Sequence, residues 1–419
     1  MEIKTANKLA KLFTFFIPVK LLRRHIRSKI ISHLIPGCLC NDIDDIIETE
    51  FKSSGKKKLA YIYQITFYSP DGRSFFSGGA ERYVIDMSKI LNKLGYFPVL
   101  IQTGLPDSRE AWVKHEFGLF TVGANIDASL FPAVIGKLSD RADINIYSGL
   151  FDWGNVSKKN SILISHGVIW DSPFCTCNSK DILKIYSGNY KKIVSVDTNT
   201  ISLFRTLFPL KTEISSKFIY VPNYVDTSKF SQNDKNASLK TILFPRRVAN
   251  ERGFSIFAEI VEIILEEFPH TRIEIAGYIH TEEFRKKIME LQEKYPQRIS
   301  HTQVLPDDMP RIYQNAYISL IPSLYSEGTS LSAIEAMASG NIVIASNVGG
   351  LPNLILDGYN GLLINPTSKD LINSIRRVLY DENFADYIRE NALAVSKIFD
   401  KRLWEERWIK IIGELSEKQ

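Results

Sequence analysis

Two glutamates, Glu327 and Glu335, stand with seven residues between them in the string PSLYSEGTSLSAIEAMASGNIVIASNVGGLP, residues 322–352. Glu327 lies just ahead of a stretch, residues 331–339, whose apolar spacing predicts a helix; Glu335 lies inside it. Gly328, Thr329, Ser330 and Leu331 would present backbone N–H groups at the start of that helix. Such a terminus carries partial positive charge and takes phosphate readily. Glu335 sits about two turns further along. A carboxylate there can accept hydrogen bonds from the hydroxyls of a nucleotide's ribose. Elsewhere, Ser77-Gly78-Gly79-Ala80-Glu81 is a Gly-Gly loop that lets backbone approach a ligand closely. Ser165-His166-Gly167 and Asp197-Thr198 end two further apolar runs.

These residues need elements to hold them. Residues 59–65 read as a buried strand, residues 80–94 as an amphipathic helix stopped by Gly95, and residues 97–102 as the next strand. Strand, glycine loop, helix, strand is a βαβ unit. Short apolar runs recur at 144–147, 161–164, 192–196 and 218–221, with polar segments between them. Residues 226–239, polar and without periodicity, read as a linker. Strands then follow at 241–244, 271–275, 316–321 and 342–345. Helices alternate with them at 255–268, 281–295, 331–339 and 369–380, and residues 384–417 are mostly helical. The fold class is α/β: two doubly wound domains, with ligands at the carboxyl ends of the strands. The expected divisions are a basic segment 1–55, a first domain 56–225, the linker, a second domain 240–390 and a helical tail 391–419. Leu403, Trp404, Trp408 and Ile412 make that tail apolar enough to pack back on the first domain.

The 419 residues are 44% hydrophobic and 24% charged, which excludes a disordered, collagen-like or small disulfide-rich chain. The net charge of +5 is unevenly placed. Residues 1–40 carry eight basic side chains against one acid, whereas the other 379 residues hold 44 basic and 46 acidic groups. A basic segment on a near-neutral body is not the footprint of a nucleic-acid binder, so no nucleic acid is expected as partner. Phe13, Phe15, Phe16, Leu21 and Leu22 alternate with lysines and arginines, the make-up of an interfacial segment on an anionic membrane surface. The four cysteines form two Cys-x-Cys pairs, Cys38/Cys40 and Cys175/Cys177, a spacing unlike a zinc knuckle; reduced thiols are expected.

The 322–352 string resembles the E-x7-E signature of retaining GT-B glycosyltransferases, above all glycosyltransferase family 4. Glu327, Gly328, Leu331, Glu335, Ala336, Met337, Ala338, Gly340 and Val343 stand where that family has them. Ser330 replaces a second glycine, and Asn341-Ile342 replaces x-Pro. FPRRVANERG, residues 244–253, resembles the family's G-R-L-x-x-x-K-G loop, with Arg247 on its arginine and Arg252 on its lysine. The resemblance implies two Rossmann-like domains facing a central cleft, with a C-terminal helical tail. It implies transfer of a hexosyl unit from a nucleotide-diphosphate sugar to an acceptor hydroxyl. Arg247, Arg252 and Glu327 would serve the chemistry, with His166 near the donor sugar. Gly78, Gly79, Gly328, Thr329, Ser330, Leu331 and Glu335 would bind the donor. No metal or other cofactor is implied, since the arginines replace the cation. With the basic N-terminus, a lipid-linked saccharide acceptor at the cytoplasmic face of the membrane is expected, in polysaccharide or glycolipid synthesis. Two rival readings are a catalytically silent GT-B subunit that binds a partner or membrane, and a nucleotide-sugar epimerase.

Overall fold

The computed structural model describes residues 36–76, 78–104, 111–124, 131–149, 157–158, 160–167, 171–173, 175–232, 239–325 and 327–416. The basic residues 1–35, with their membrane expectation, and residues 233–238 of the expected linker lie outside the described residues.

The described residues build two sheets. The first holds β1 (Lys58–Tyr63), β2 (Tyr96–Gln102), β3 (Trp112–Glu116), β4 (Leu119–Gly123), β5 (Ile144–Ser148), β6 (Ser161–Ser165), β7 (Lys192–Ser195) and β8 (Phe218–Tyr220). Its spatial order is β3-β4-β2-β1-β5-β6-β7-β8, and only the β3–β4 pair is antiparallel. The second sheet is β9 (Lys240–Phe244), β10 (Thr271–Ala276), β11 (Ile299–Thr302), β12 (Ile318–Ile321), β13 (Ile342–Ser346) and β14 (Leu362–Ile364). It is parallel throughout, in the order β11-β10-β9-β12-β13-β14.

Each sheet is buried on both faces, as near-continuous apolar strands require. In β1, Leu59, Tyr61 and Tyr63 enter one core while Ala60 and Ile62 enter the other. In β9, Ile242 and Phe244 face one side and Leu243 the other. This two-residue alternation makes each sheet the middle layer of a helix–sheet–helix sandwich.

The helices follow local rules. Gly79–Lys93 buries Tyr83, Val84, Met87, Ile90 and Leu91, one stripe at helical spacing, and the chain leaves it through Gly95 at φ +85°. Expected helix 255–268 is two helices, Phe254–Ala258 and Val261–Glu267. There the Ile260 N–H donates to Phe257 C=O, tightening the turn, and Ile260 itself is buried.

The last helix, Lys401–Ser416, returns to the first domain. Trp404, Trp408, Ile411, Ile412 and Leu415 complete the core that Ile62, Tyr83 and Met87 begin, while Leu403 stays exposed. Trp408 Nε1 donates to Tyr83 Oη at 2.8 Å, and Lys93 pairs with Glu405 at 2.8 Å. The two segments that link the domains run side by side: Val225 N–H donates to Phe399 C=O and Lys401 N–H to Val225 C=O, both at 2.9 Å. No helix among the described residues is long and apolar enough to cross a membrane.

Candidate functional site

In each sheet the strand order reverses at a central strand, next to β1 and β5 in the first and next to β9 and β12 in the second. Such switch points leave a crevice at the carboxyl ends of the strands, where doubly wound proteins hold ligands. Gly78 and Gly79 follow β1, Ser148 ends β5, and His166 follows β6. Arg246, Arg247 and Arg252 follow β9, and Ser323 and Glu327 follow β12.

On the second-domain side the centre is an ion cluster. Glu327 Oε2 accepts from Arg246 Nη2 at 2.7 Å, from Arg252 Nη1 at 2.7 Å and from Ser323 Oγ at 2.8 Å. The side chains of Arg246 and Glu327 are each 8% exposed and that of Arg252 is 22% exposed. Burial alone would raise the carboxyl pKa of Glu327, but the two guanidinium groups hold it below the ordinary value. Burial lowers the pKa of Arg246. Two cations thus share one carboxylate at the end of the sheet.

Arg247 does not reach Glu327; it is exposed and pairs with Glu251 at 2.7 Å. Val248 bridges to Ile279, which keeps the backbone extended, so side chains alternate along it. Val248 and Arg246 turn inward and Arg247 outward. Arg246, the neighbour of the arginine that the resemblance singles out, is thus the one that meets Glu327, together with Arg252.

Helix Leu331–Ala338 begins where the sequence placed it, and the serine that replaces a family glycine has a clear local role. Ser330 is the N-cap, its Oγ accepting from Ala333 N–H at 3.4 Å. The Thr329 hydroxyl donates to Val196 C=O, and Thr329 C=O accepts from Asn223 Nδ2 at 2.5 Å. Glu335 is buried and faces Arg82 across the cleft, Nη1 to Oε1 2.8 Å. That carboxylate, expected to meet a ribose, thus has a cationic partner from the first domain that sequence reasoning missed. Glu335 in turn raises the pKa of Arg82.

The two domains approach closely at their glycines. A Cβ on Gly328 would lie 2.6 Å from His166 O, and one on Gly167 would lie 2.8 Å from Gly328 Cα. A Cβ on Gly79 would stand 3.1 Å from Leu331 Cδ1. Gly78 is the N-cap of the first-domain helix, and Glu81 folds its carboxylate back toward it. Asp197 caps helix Thr198–Leu207, its Oδ1 accepting from Thr200 N–H at 2.7 Å. Asn353 spans to the start of that helix, accepting from Thr198 N–H at 3.0 Å.

His166 and Glu81 lie in one hydrogen-bonded group beneath the cleft. Burial pushes His166 down to about 4 and Glu81 up to about 7. The signs of their contributions to stability are opposite. His166 binds fewer protons folded than unfolded between about pH 4 and 6.5, so its share of stability rises with pH there. Glu81 binds more protons folded between pH 4.5 and about 7, so its share falls as pH rises. Over their common window the two largely cancel. Glu81→Gln removes the falling share, so the variant should gain up to about 3 kcal/mol relative to wild type from pH 4.5 to pH 7. Urea midpoints at the two pH values check this; parallel shifts in both proteins would contradict it.

Cys175 and Cys177 are free thiols. Among the described residues no three His, Cys, Asp or Glu side chains converge to hold a metal ion.

Comparison with known proteins follows the same division. Residues 225–395 match the family model of glycosyl transferases group 1. An uncharacterized glycosyltransferase of Methanocaldococcus jannaschii is 30% identical over 172 residues, covering 40% of this chain and 42% of that protein. The GDP-mannose:cellobiosyl-diphosphopolyprenol alpha-mannosyltransferase of Xanthomonas oryzae is 23% identical over 253 residues, 58% of this chain and 61% of that protein. The chain thus spans less than two thirds of the length of these curated relatives. Among solved structures, sucrose-phosphate synthase of Thermosynechococcus elongatus superposes with a TM-score of 0.66 at 16% identity, over 86% of this chain and 99% of that one. HepE of Anabaena, solved with UDP, gives 0.64 at 15% identity, over 85% and 100%. The chain has the GT-B fold, and its residues 225–395 are similar to the glycosyl transferases group 1 family.

Proposed function

We propose that this protein is a retaining glycosyltransferase that moves a hexosyl unit from a nucleotide-diphosphate sugar to an acceptor hydroxyl. The observation that carries this reading is the buried Arg246–Glu327–Arg252 cluster at the second-domain switch point, with two cations against one carboxylate. A leaving nucleoside diphosphate gains negative charge as the bond from the anomeric carbon to phosphate oxygen breaks. Fixed guanidinium groups beside it stabilise that charge without reorganising, and arginine binds phosphate bidentately. The acceptor oxygen attacks the anomeric carbon from the face the phosphate leaves, and its proton passes to the departing phosphate oxygen. Glu327 holds the arginines and the hydroxyls of the donor sugar, and Glu335 holds the ribose. Gly328, Thr329, Ser330 and Leu331 line the phosphate side, and Gly78 and Gly79 face them from the first domain.

The cations of the site are arginines, so the transfer needs no divalent metal; the rate should be unchanged in excess EDTA. A lipid-linked saccharide is the proposed acceptor. The basic segment 1–40 supports it, and so does the name of the Xanthomonas relative, which gives its acceptor as a cellobiosyl-diphosphopolyprenol. Residues 1–40 would hold the protein on an anionic membrane surface, at the cytoplasmic face, in polysaccharide or glycolipid synthesis.

Thermal shift with UDP, GDP, ADP, CMP and their sugars tests the site. One nucleotide at 100 times its Kd should stabilise the protein by about 2.7 kcal/mol. Arg252→Ala and Glu335→Ala should lose that gain. Stabilisation by none of them would overturn the reading.

A further inference from the structure

Gln64, Ser148, His166 and Glu81 come from four separate elements and form one chain of hydrogen bonds. Gln64 Nε2 donates to Thr66 C=O at 2.6 Å and to Glu81 Oε1 at 3.0 Å. Ser148 Oγ donates to Gln64 Oε1 at 3.3 Å and stands 2.9 Å from His166 Nε2. Gln64, Ser148 and Glu81 are buried.

This chain has only one consistent direction. Gln64 meets two acceptors on one side, a backbone carbonyl and a carboxylate. Turning its amide over would set its oxygen against the Thr66 carbonyl at 2.6 Å, which cannot donate, so the NH2 group must face this side. Its oxygen therefore faces Ser148 and takes the one hydroxyl proton. With that proton spent, Ser148 can only accept from His166, so Nε2 must carry hydrogen. Glu81 is itself held by the backbone N–H groups of Glu81 and Gly78, which fixes the far end. His166 is neutral, its pKa pushed down to about 4 by burial, so Nδ1 keeps its lone pair. Nδ1 has no hydrogen-bond partner among the described residues, and the next residue, Gly167, touches Gly328 across the cleft.

We propose that Gln64 and Ser148 are positioning residues that hold His166 as its Nε2–H tautomer, leaving Nδ1 as an acceptor for a hydroxyl of the donor sugar. The hydroxyl's role rests on the transferase reading above; the tautomer does not. The test is 15N NMR of histidine-labelled protein without ligand, with His166→Gln to identify the resonances. Wild type should show His166 with hydrogen on Nε2 alone. Ser148→Ala should give a mixture of tautomers, and Ser148→Thr, which keeps the hydroxyl, should restore the single form. In the transferase assay Ser148→Ala should lower kcat about tenfold with nucleotide affinity unchanged, and Ser148→Thr should recover it. An Nδ1–H tautomer in wild type, or a Ser148→Ala protein with an unaltered tautomer, would overturn the positioning role. A correct tautomer with unchanged kcat would overturn the Nδ1 acceptor. An inactive protein with the expected tautomers would overturn the transferase reading and Nδ1's sugar partner, while the positioning by Gln64 and Ser148 would stand.

Discussion

Glu327→Ala should cost both activity and stability, more than any other single change at the site. The carboxylate is the one acidic group that Arg246 and Arg252 share, and all three side chains are largely buried. Removing it leaves the buried Arg246 guanidinium without the carboxylate that balances it and takes one carboxylate from Arg252. Breaking a buried ion pair from one side costs about 3–5 kcal/mol, because the remaining charge is still desolvated. Arg246 suffers most, since burial already lowers its pKa. Transfer rate should fall on the order of 10³-fold, the scale of losing a preorganised electrostatic contact. Urea unfolding and initial rates check both parts. The double variant Glu327→Ala/Arg246→Met should be more stable than Glu327→Ala alone, because it removes the orphaned charge. If Glu327→Ala unfolds at the wild-type midpoint, the carboxylate does not hold the arginines as described.

Gly328→Ala comes next, and its effect should fall on catalysis alone. A Cβ there would sit 2.6 Å from His166 O, 3.1 Å from Gly167 Cα and 3.1 Å from Val196 Cγ2. All three atoms belong to the first domain, so the methyl does not crowd the domain that carries it. Two backbones meet there, and neither can yield like a flexible side chain. The domains should be held apart by roughly one ångström, and a displacement of that size costs about 10²-fold when reacting groups must align. Stability of the separate sheets should hardly change. Gly167→Ala should lose as much or more, because its φ of +133° also strains any residue with a side chain. Wild-type kcat in Gly328→Ala would show that the two domains need not approach this closely during turnover.

Much of the architecture was legible because local signals agreed with it. The Gly79–Lys93 stripe, the apolar strands β1, β2, β5, β6, β9, β10 and β13, and the glycine loop all combine pattern with punctuation. Among the strands that escaped notice two lacked such signals, whereas β4, a fully buried apolar run, did not. β3 lies at the sheet edge with most of its side chains partly or fully exposed, and β14 is only three residues long. In the candidate site, Glu327, Glu335 and Arg252 drew attention through the motifs they share with the resembled family, and all three lie on or next to regular elements. Arg246 did not stand out beside Arg247, since the direction of a side chain after β9 depends on the Val248–Ile279 bridge, a tertiary contact. Arg82, Ser323, Gln64 and Ser148 could not be found at all. Each matters through a partner between 4 and 253 positions away, and none has a type or spacing that stands out alone.

The return of the final helix sets a schedule for synthesis. A chain leaves the ribosome from its amino end, so the first sheet is complete long before Trp404 and Trp408 exist. Until then the surface around Tyr83 and Met87 lacks the wall that Trp404, Trp408, Ile411, Ile412 and Leu415 later provide. The nascent first domain must therefore wait, with an open apolar flank, for the whole second domain to be made. A chain stopped before residue 401 would have every residue of both sheets and still lack one side of its first core. Premature termination near the end of the message should yield insoluble protein rather than a trimmed enzyme.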